Sequence, residues 1–156
     1  MKIQIAKIPE SLSEFREMTA SRFRNPAEVC AWLIAALQLY VQNPEEGIEA
    51  LEILHGGEQL SGYEKQFLKD RFRGKAYLAK AYFSGACPEN AYEPSVPYTV
   101  ELKEDKHPAE AGYRKFFVFT AGADSPRPLT LKQNRNGWMI YEYSSILSGI
   151  RLPVNQ

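Results

Sequence analysis

At 156 residues the chain is long enough for one domain with a substantial core, since a chain of this size buries roughly 70% of the surface its unfolded form exposes. Its 19 basic and 19 acidic residues cancel, and each half of the chain is itself balanced, so neither half is an arm that seeks a polyanion. Two cysteines, Cys30 in an apolar run and Cys87 in a proline-containing loop, rule out a disulfide framework and fit free thiols in a reducing compartment.

The opening residues Met1 to Pro9 lack the apolar stretch and small-residue cleavage site of a signal peptide. Val29 to Val41 is the most apolar segment, and it falls well short of the ~20 residues needed to span a bilayer. The expectation is a cytoplasmic protein with no membrane span and a single domain over 1–156, helical over 11–84 and stranded mainly over 96–143.

In chain order, Ser11 with Glu14 forms a capping box that opens a helix running to about Phe23. Asn25-Pro26 and Asn43-Pro44 each place a capping asparagine before a proline at the first helical position, where the missing N–H costs nothing. The helix from Pro26 to about Gln42 is apolar on nearly every face and is expected at the centre of the core. A shorter, acidic helix runs from Pro44 to Leu54 and ends at His55-Gly56-Gly57. Ser61 with Glu64 caps the next pattern, which continues to about Phe83 before Ser84-Gly85 stops it. Along that pattern Lys65, Lys69, Arg73 and Lys80 form a basic stripe. Arg71 and Lys75 project into its apolar sector around Gly74, which predicts a kink, two shorter helices, or an arginine held by a buried acceptor.

The period then switches. Tyr98–Lys103, Arg114–Thr120, Pro128–Gln133 and Trp138–Tyr143 have strand length and β-branched or aromatic enrichment. Gln133-Asn-Arg-Asn-Gly137 joins the last two as a hairpin, Lys103 to Gly112 with Pro108 is a polar loop, and Ser144 to Ile150 is a final helical turn. Helices followed by a strand run give an α+β domain, with N-terminal helices packed on a C-terminal four-stranded antiparallel sheet.

The chemistry-bearing residues are few. His55 and His107 have no serine, cysteine or carboxylate at a spacing that specifies a triad or a metal site, and no phosphate-cradling loop is present. No cofactor and no metal are therefore expected. His55 reads as a cation serving a helix end, His107 as a solvated loop residue, and Cys30 as an inert buried thiol. The basic stripe with Tyr63 and Tyr77 offers a nucleic-acid track, which the zero net charge disfavours. Two proline-stiffened loops carry the candidates for ligand or partner contact. In Gly122-Ala-Asp-Ser-Pro-Arg-Pro128 the prolines hold Arg127 extended, ready to meet a carboxylate or phosphate, with Asp124 beside it. Against that stands a structural reading in which Asp124 bonds its own turn and Arg127 pairs with Glu142. The loop holding Tyr92, Pro94, Pro97 and Tyr98 either lines a groove or covers the core, and Arg71 completes the set of contact candidates.

Tyr82 to Ala86 with Pro88-Glu-Asn90, then Tyr92, Pro94-Ser95, Pro97-Tyr98, Gly122 to Pro128 and the closing Trp138 to Arg151 run, resembles an uncharacterised domain-of-unknown-function family of Gram-positive gut bacteria. The resemblance supplies no catalytic or ligand residues and leaves location open. The four closing strands after a helix are also similar to NTF2-like and cystatin-like cones, although an early strand pair between the helices is missing. The leading expectation is a non-catalytic interaction or ligand-binding domain whose partner is a protein or small molecule. The alternatives are a small pocket enzyme of NTF2-like type, with Asp124 or Glu142 as base and Tyr141 or Tyr143 as acid, and a nucleic-acid binder through 65–80.

Overall fold

A computed structural model describes residues 1–154 apart from Ser21, Pro108 and Ala109. Four α-helices and five strands make up its regular structure among the described residues. Helices α1 (Leu12–Thr19), α2 (Pro26–Gln42), α3 (Pro44–Leu54) and α4 (Gly62–Phe72) all begin where a side-chain oxygen takes up an orphan N–H. Ser11 Oγ accepts from the Glu14 N–H at 3.1 Å and Ser61 Oγ from the Glu64 N–H at 3.1 Å. Asn25 Oδ1 accepts from Ala27 at 3.0 Å, and Asn43 Oδ1 from Glu46 at 3.2 Å.

Helix α2 is buried from Pro26 to Tyr40 except at Glu28, as its all-round apolar sequence requires. It lies between α3 and the sheet. The approach of α3 depends on Gly47, where an added Cβ would sit 2.2 Å from the Tyr40 Cα, so any larger residue forces the two helices apart.

Strands β1 (Lys2–Gln4), β2 (Thr99–Glu104), β3 (Tyr113–Val118), β4 (Arg127–Asn134) and β5 (Gly137–Glu142) form one curled antiparallel sheet in the order β1-β2-β3-β4-β5. Register pairs Ile3 with Val100, Leu102 with Val118, Phe116 with Leu129 and Leu131 with Ile140. Val100, Leu102, Phe116, Val118, Leu129, Leu131 and Ile140 are all buried in the core shared with α2. Between these inward residues, Lys103 lies over the rings of Phe117 and Phe119, and Lys115 over Phe117. The β4–β5 hairpin turns through Arg135-Asn136, as the Asn-Gly signal predicts. At its foot Gly137 adopts φ +135° and brings the Trp138 N–H to the Phe23 carbonyl at 2.8 Å; a Cβ at Gly137 would lie 2.2 Å from that carbonyl oxygen.

Two expectations need correction, and the alternatives left open around Gly74 are decided. The sheet has five strands, and a strand precedes the helices: Lys2–Gln4 is too short to announce itself and is stabilised by pairing with β2. The first helix stops at Thr19, where Ala20 turns left-handed at φ 38°, instead of running to about Phe23; Ser21 falls outside the described residues, as does Pro108 of the polar loop. The pattern from Ser61 to Phe83 is broken at Phe72, the interruption that Arg71 and Lys75 predicted around Gly74. Gly74 at φ +68° redirects the chain, a 3₁₀ turn follows at Lys80–Tyr82, and Phe83 bridges to Val100 beside the sheet. Arg71 therefore lies in the last turn of α4, exposed, with its guanidinium 5.2 Å from the Phe67 ring rather than held by a buried acceptor. The closing helical turn is present as a 3₁₀ turn at Ser144–Leu147.

Candidate functional site

The two proline-stiffened loops meet the closing segment and are consumed by it. Arg127 Nε donates to the Ser148 carbonyl at 3.1 Å and Nη2 to the Gly149 carbonyl at 3.1 Å, while Nη1 reaches the Ser125 carbonyl at 3.4 Å. Glu142, its expected partner, instead accepts from the Ser144 N–H at 2.8 Å. Asp124 pairs with Arg151, whose other guanidinium nitrogen donates to the Ala121 carbonyl at 3.2 Å. Tyr92 is fully enclosed, its ring stacked on Tyr77 at 5.2 Å with planes 10° apart and its hydroxyl donating to the Arg151 carbonyl at 2.7 Å. Tyr98 is half-buried and tilts against Phe83 at 5.8 Å. Tyr82, also buried, donates to the Ile146 carbonyl at 2.5 Å, and burial pushes its phenol well above the usual range. The geometry is that of a lock. Arg127 and Arg151 clamp carbonyls, and the stack on Tyr92 takes one face of Tyr77 away from the nucleic-acid track.

A second place has the opposite character. Where α3 ends, the turn through Gly56-Gly57 folds α4 back beside the free edge of β5 and leaves a groove of about 460 Å³, within the size range of small-molecule sites. His55 stands on one side. Its Nδ1 lies 2.7 Å from the Leu51 carbonyl, so that nitrogen carries the proton, and Nε2 lies 3.8 Å from the Glu64 carboxylate. His55 thus lies against the end of its helix, and it has one carboxylate beside it, a pairing the sequence analysis did not name. Glu58, Tyr63, Phe67, Tyr141 and Glu142 continue the walls.

Tyr143 forms part of the groove lining, 6% exposed, with its ring edge-on to His55 at 5.6 Å. Its hydroxyl is buried and has no hydrogen-bond partner. Burial pushes this phenol far up, and the negative charges of Glu64 and Glu142 push it further. A buried hydroxyl without a partner costs about 1–3 kcal/mol, so its presence calls for an explanation. Glu142 is displaced the other way: hydrogen bonds from the Ser144 side chain and N–H hold its carboxyl below the ordinary carboxylate range. A carboxylate so stabilised is a weak base and a phenol so raised is a weak acid, so this pair lacks the matched pKa values that proton transfer at neutral pH requires.

The family model described as Domain of unknown function (DUF6935) matches residues 7–154. The chain belongs to this family. Comparison with curated proteins and with solved structures gives no match. The membership covers both the lock and the groove and assigns an activity to neither. No group of three or more histidine, cysteine or acidic side chains is placed to hold a metal ion among the described residues. Nor is any helix among them long and apolar enough to cross a membrane.

Of the five contact candidates, Arg127, Asp124 and Tyr92 converge on the lock, Tyr98 lies apart against Phe83, and Arg71 sits over the Phe67 ring. His55 and Glu64 were missed as a pair, although their spacing across a Gly-Gly turn between two capped helices was a usable signal.

Proposed function

We propose that this DUF6935 domain is a non-catalytic ligand-binding domain and that the ligand occupies the groove between α3, α4 and β5. The unpartnered Tyr143 hydroxyl carries the reading. It is a buried polar atom with no partner in the protein, and it belongs to a residue that lines the groove. Supporting it are aromatic side chains already fixed in place: Tyr141 is held edge-on to Tyr113 at 5.0 Å, and Tyr143 against His55. A curled antiparallel sheet packed against helix α2 supports the NTF2-like or cystatin-like likeness, which by itself assigns no function. A bacterial origin and a cytoplasmic setting belong to the same proposal. Two unpaired thiols, Cys30 buried and Cys87 half-buried, support a reducing compartment.

The test is a titration of the isotope-labelled chain with a small-molecule fragment library of mixed charge, followed by amide NMR. Shifts clustered on 55–67 and 139–144 are expected. A library that leaves those residues unmoved, or that moves 122–128 instead, overturns the assignment.

A further inference from the structure

The outer face of the sheet is used by neither the lock nor the core. Register places Lys103 opposite Phe117, Lys115 opposite Thr130 and Tyr113 opposite Lys132. These side chains alternate with the inward Leu102, Phe116 and Leu131, which are buried in the core shared with α2, so they point away from it. Along β3 the face carries Tyr113, Lys115 and Phe117, and the Phe119 N–H bond to the Glu101 carbonyl at 2.9 Å extends the ladder to Phe119. Successive members of that row stand roughly 7 Å apart. Phe119 is 36% exposed, and Tyr141, edge-on to Tyr113, is 55% exposed.

The charge on this face is one-sided, although the chain as a whole is neutral. Lys103, Lys115 and Lys132 make no ion pair among the described residues. They rest over aromatic rings instead: Lys103 at 5.9 Å from Phe117 and 5.8 Å from Phe119, Lys132 at 5.9 Å from Tyr113, and Lys115 closer, at 5.2 Å from Phe117. Three of these contacts lie at the outer limit of a cation–π interaction, about 6 Å, and all are made by flexible stems that an anion can draw aside. Acidic side chains stand only at the ends of the face. Glu101 lies 4.0 Å from Lys2, and Glu142, opposite Thr130, accepts from the Ser144 N–H.

We propose that this face binds single-stranded nucleic acid, with bases stacked on the rings of Phe119, Phe117 and Tyr113 and phosphates paired with Lys103, Lys115 and Lys132. Charge complementarity selects a polyanion, and the interleaved rings select among polyanions. An acidic peptide uses the lysines and leaves the rings bare, whereas every base has a π-face to stack on them. A duplex hides those faces, so the strand is single. The surface is separate from the α4 stripe at 65–80, and the proposal does not rest on the groove.

The test is fluorescence anisotropy of the full chain with labelled oligo-dT and oligo-U, in a salt series from about 50 to about 200 mM, with duplex DNA and polyglutamate as competitors. Saturable binding of at least one single strand is expected, with a log–log salt slope of about −2, the value for three phosphates on a single strand. The relative affinity of the two oligomers separates DNA from RNA. Lys103→Gln and Lys132→Gln should each reduce the slope by about 0.7. Phe119→Leu, at an exposed position, should weaken binding at least about fivefold, the scale of one lost stacked base, and Phe119→Tyr should retain it. Lys69→Gln on α4 should leave affinity unchanged. Three results overturn the proposal: no anisotropy change with either strand at the lowest salt, a loss confined to Lys69→Gln, or displacement by polyglutamate together with unchanged affinity in Phe119→Leu. The last of these would reassign the face to an acidic protein.

Discussion

The lock and the groove each contain buried tyrosine, and the difference lies in where the hydroxyl goes. In the lock, Tyr82 donates to Ile146 and Tyr92 to Arg151, so each phenol fastens the closing segment to the body of the domain. In the groove, Tyr143 is 6% exposed and donates to nothing, as does the Tyr77 hydroxyl beside Tyr92. The same side chain thus serves as a rivet in one region and an open socket in the other. Completed hydrogen bonds from Tyr82 and Tyr92 mark structure, whereas a buried phenol with no partner in the protein calls for an explanation.

The strongest way to break this comparison is to cut the lock. Arg127→Ala removes hydrogen bonds to the Ser148 and Gly149 carbonyls and is expected to destabilise the domain by about 2–3 kcal/mol in urea denaturation, the scale of charge-assisted bonds. Arg127→Lys should recover less than half, because one ammonium does not reproduce a planar fork aimed at successive carbonyls. A loss below about 0.5 kcal/mol for the alanine variant removes Arg127 from the lock.

Next in size is Tyr82→Phe, expected to cost about 1–2 kcal/mol by leaving the Ile146 carbonyl unpaired. Its counterpart Tyr143→Phe loses no bond and should change stability by less than about 0.5 kcal/mol, or raise it. Matching losses for the two variants in thermal or chemical denaturation would erase the distinction between rivet and socket.

An ion pair outside both regions calibrates the pH dependence. Arg114 donates from Nε to Glu104 at 2.8 Å and from Nη2 at 2.5 Å, and this bidentate contact holds the Glu104 carboxyl below its ordinary range. A depressed folded-state pKa contributes stability that is present above the unfolded value, about 4.3, and is lost as pH falls through the lower folded value. Glu104→Gln should therefore show its deficit at neutral pH and converge with the parent chain in acid. Parallel curves for the two proteins down to about pH 3 would contradict the assignment. The side chains are about one-third exposed, so this is the smallest of the stability effects expected above, apart from the near-neutral Tyr143 variant.

Much of the fold was legible because its signals are local. Ser11, Asn25, Asn43 and Ser61 each cap a helix within three residues of themselves, and the Asn-Gly turn sets the β4–β5 register. What escaped depends on partners far along the chain. Strand β1 has three residues and takes its identity from β2, while the misfit of Arg71 on the helical wheel did signal the break that follows at Phe72. Arg127 could be picked out as fixed by its flanking prolines, but its acceptors Ser148 and Gly149 are backbone atoms with no side-chain signature. The groove is the extreme case: His55 and Glu64 are close in sequence, yet Tyr143 reaches them only after the whole sheet has closed.

That long reach applies most strongly at the other edge of the sheet. Nearly the entire helical half of the chain lies between Ile3 and Val100, whereas β2 to β5 are joined by successive hairpin-like connections. Closing so large a loop costs more entropy than any joint inside the meander, so β1 is the strand whose docking waits for the helices. Until it docks, the β2 edge stands bare. In a crowded solution, the Lys2–Gln4 segment of a neighbouring copy could fill that edge as readily as the chain's own, making strand exchange the characteristic hazard of refolding this domain at high concentration.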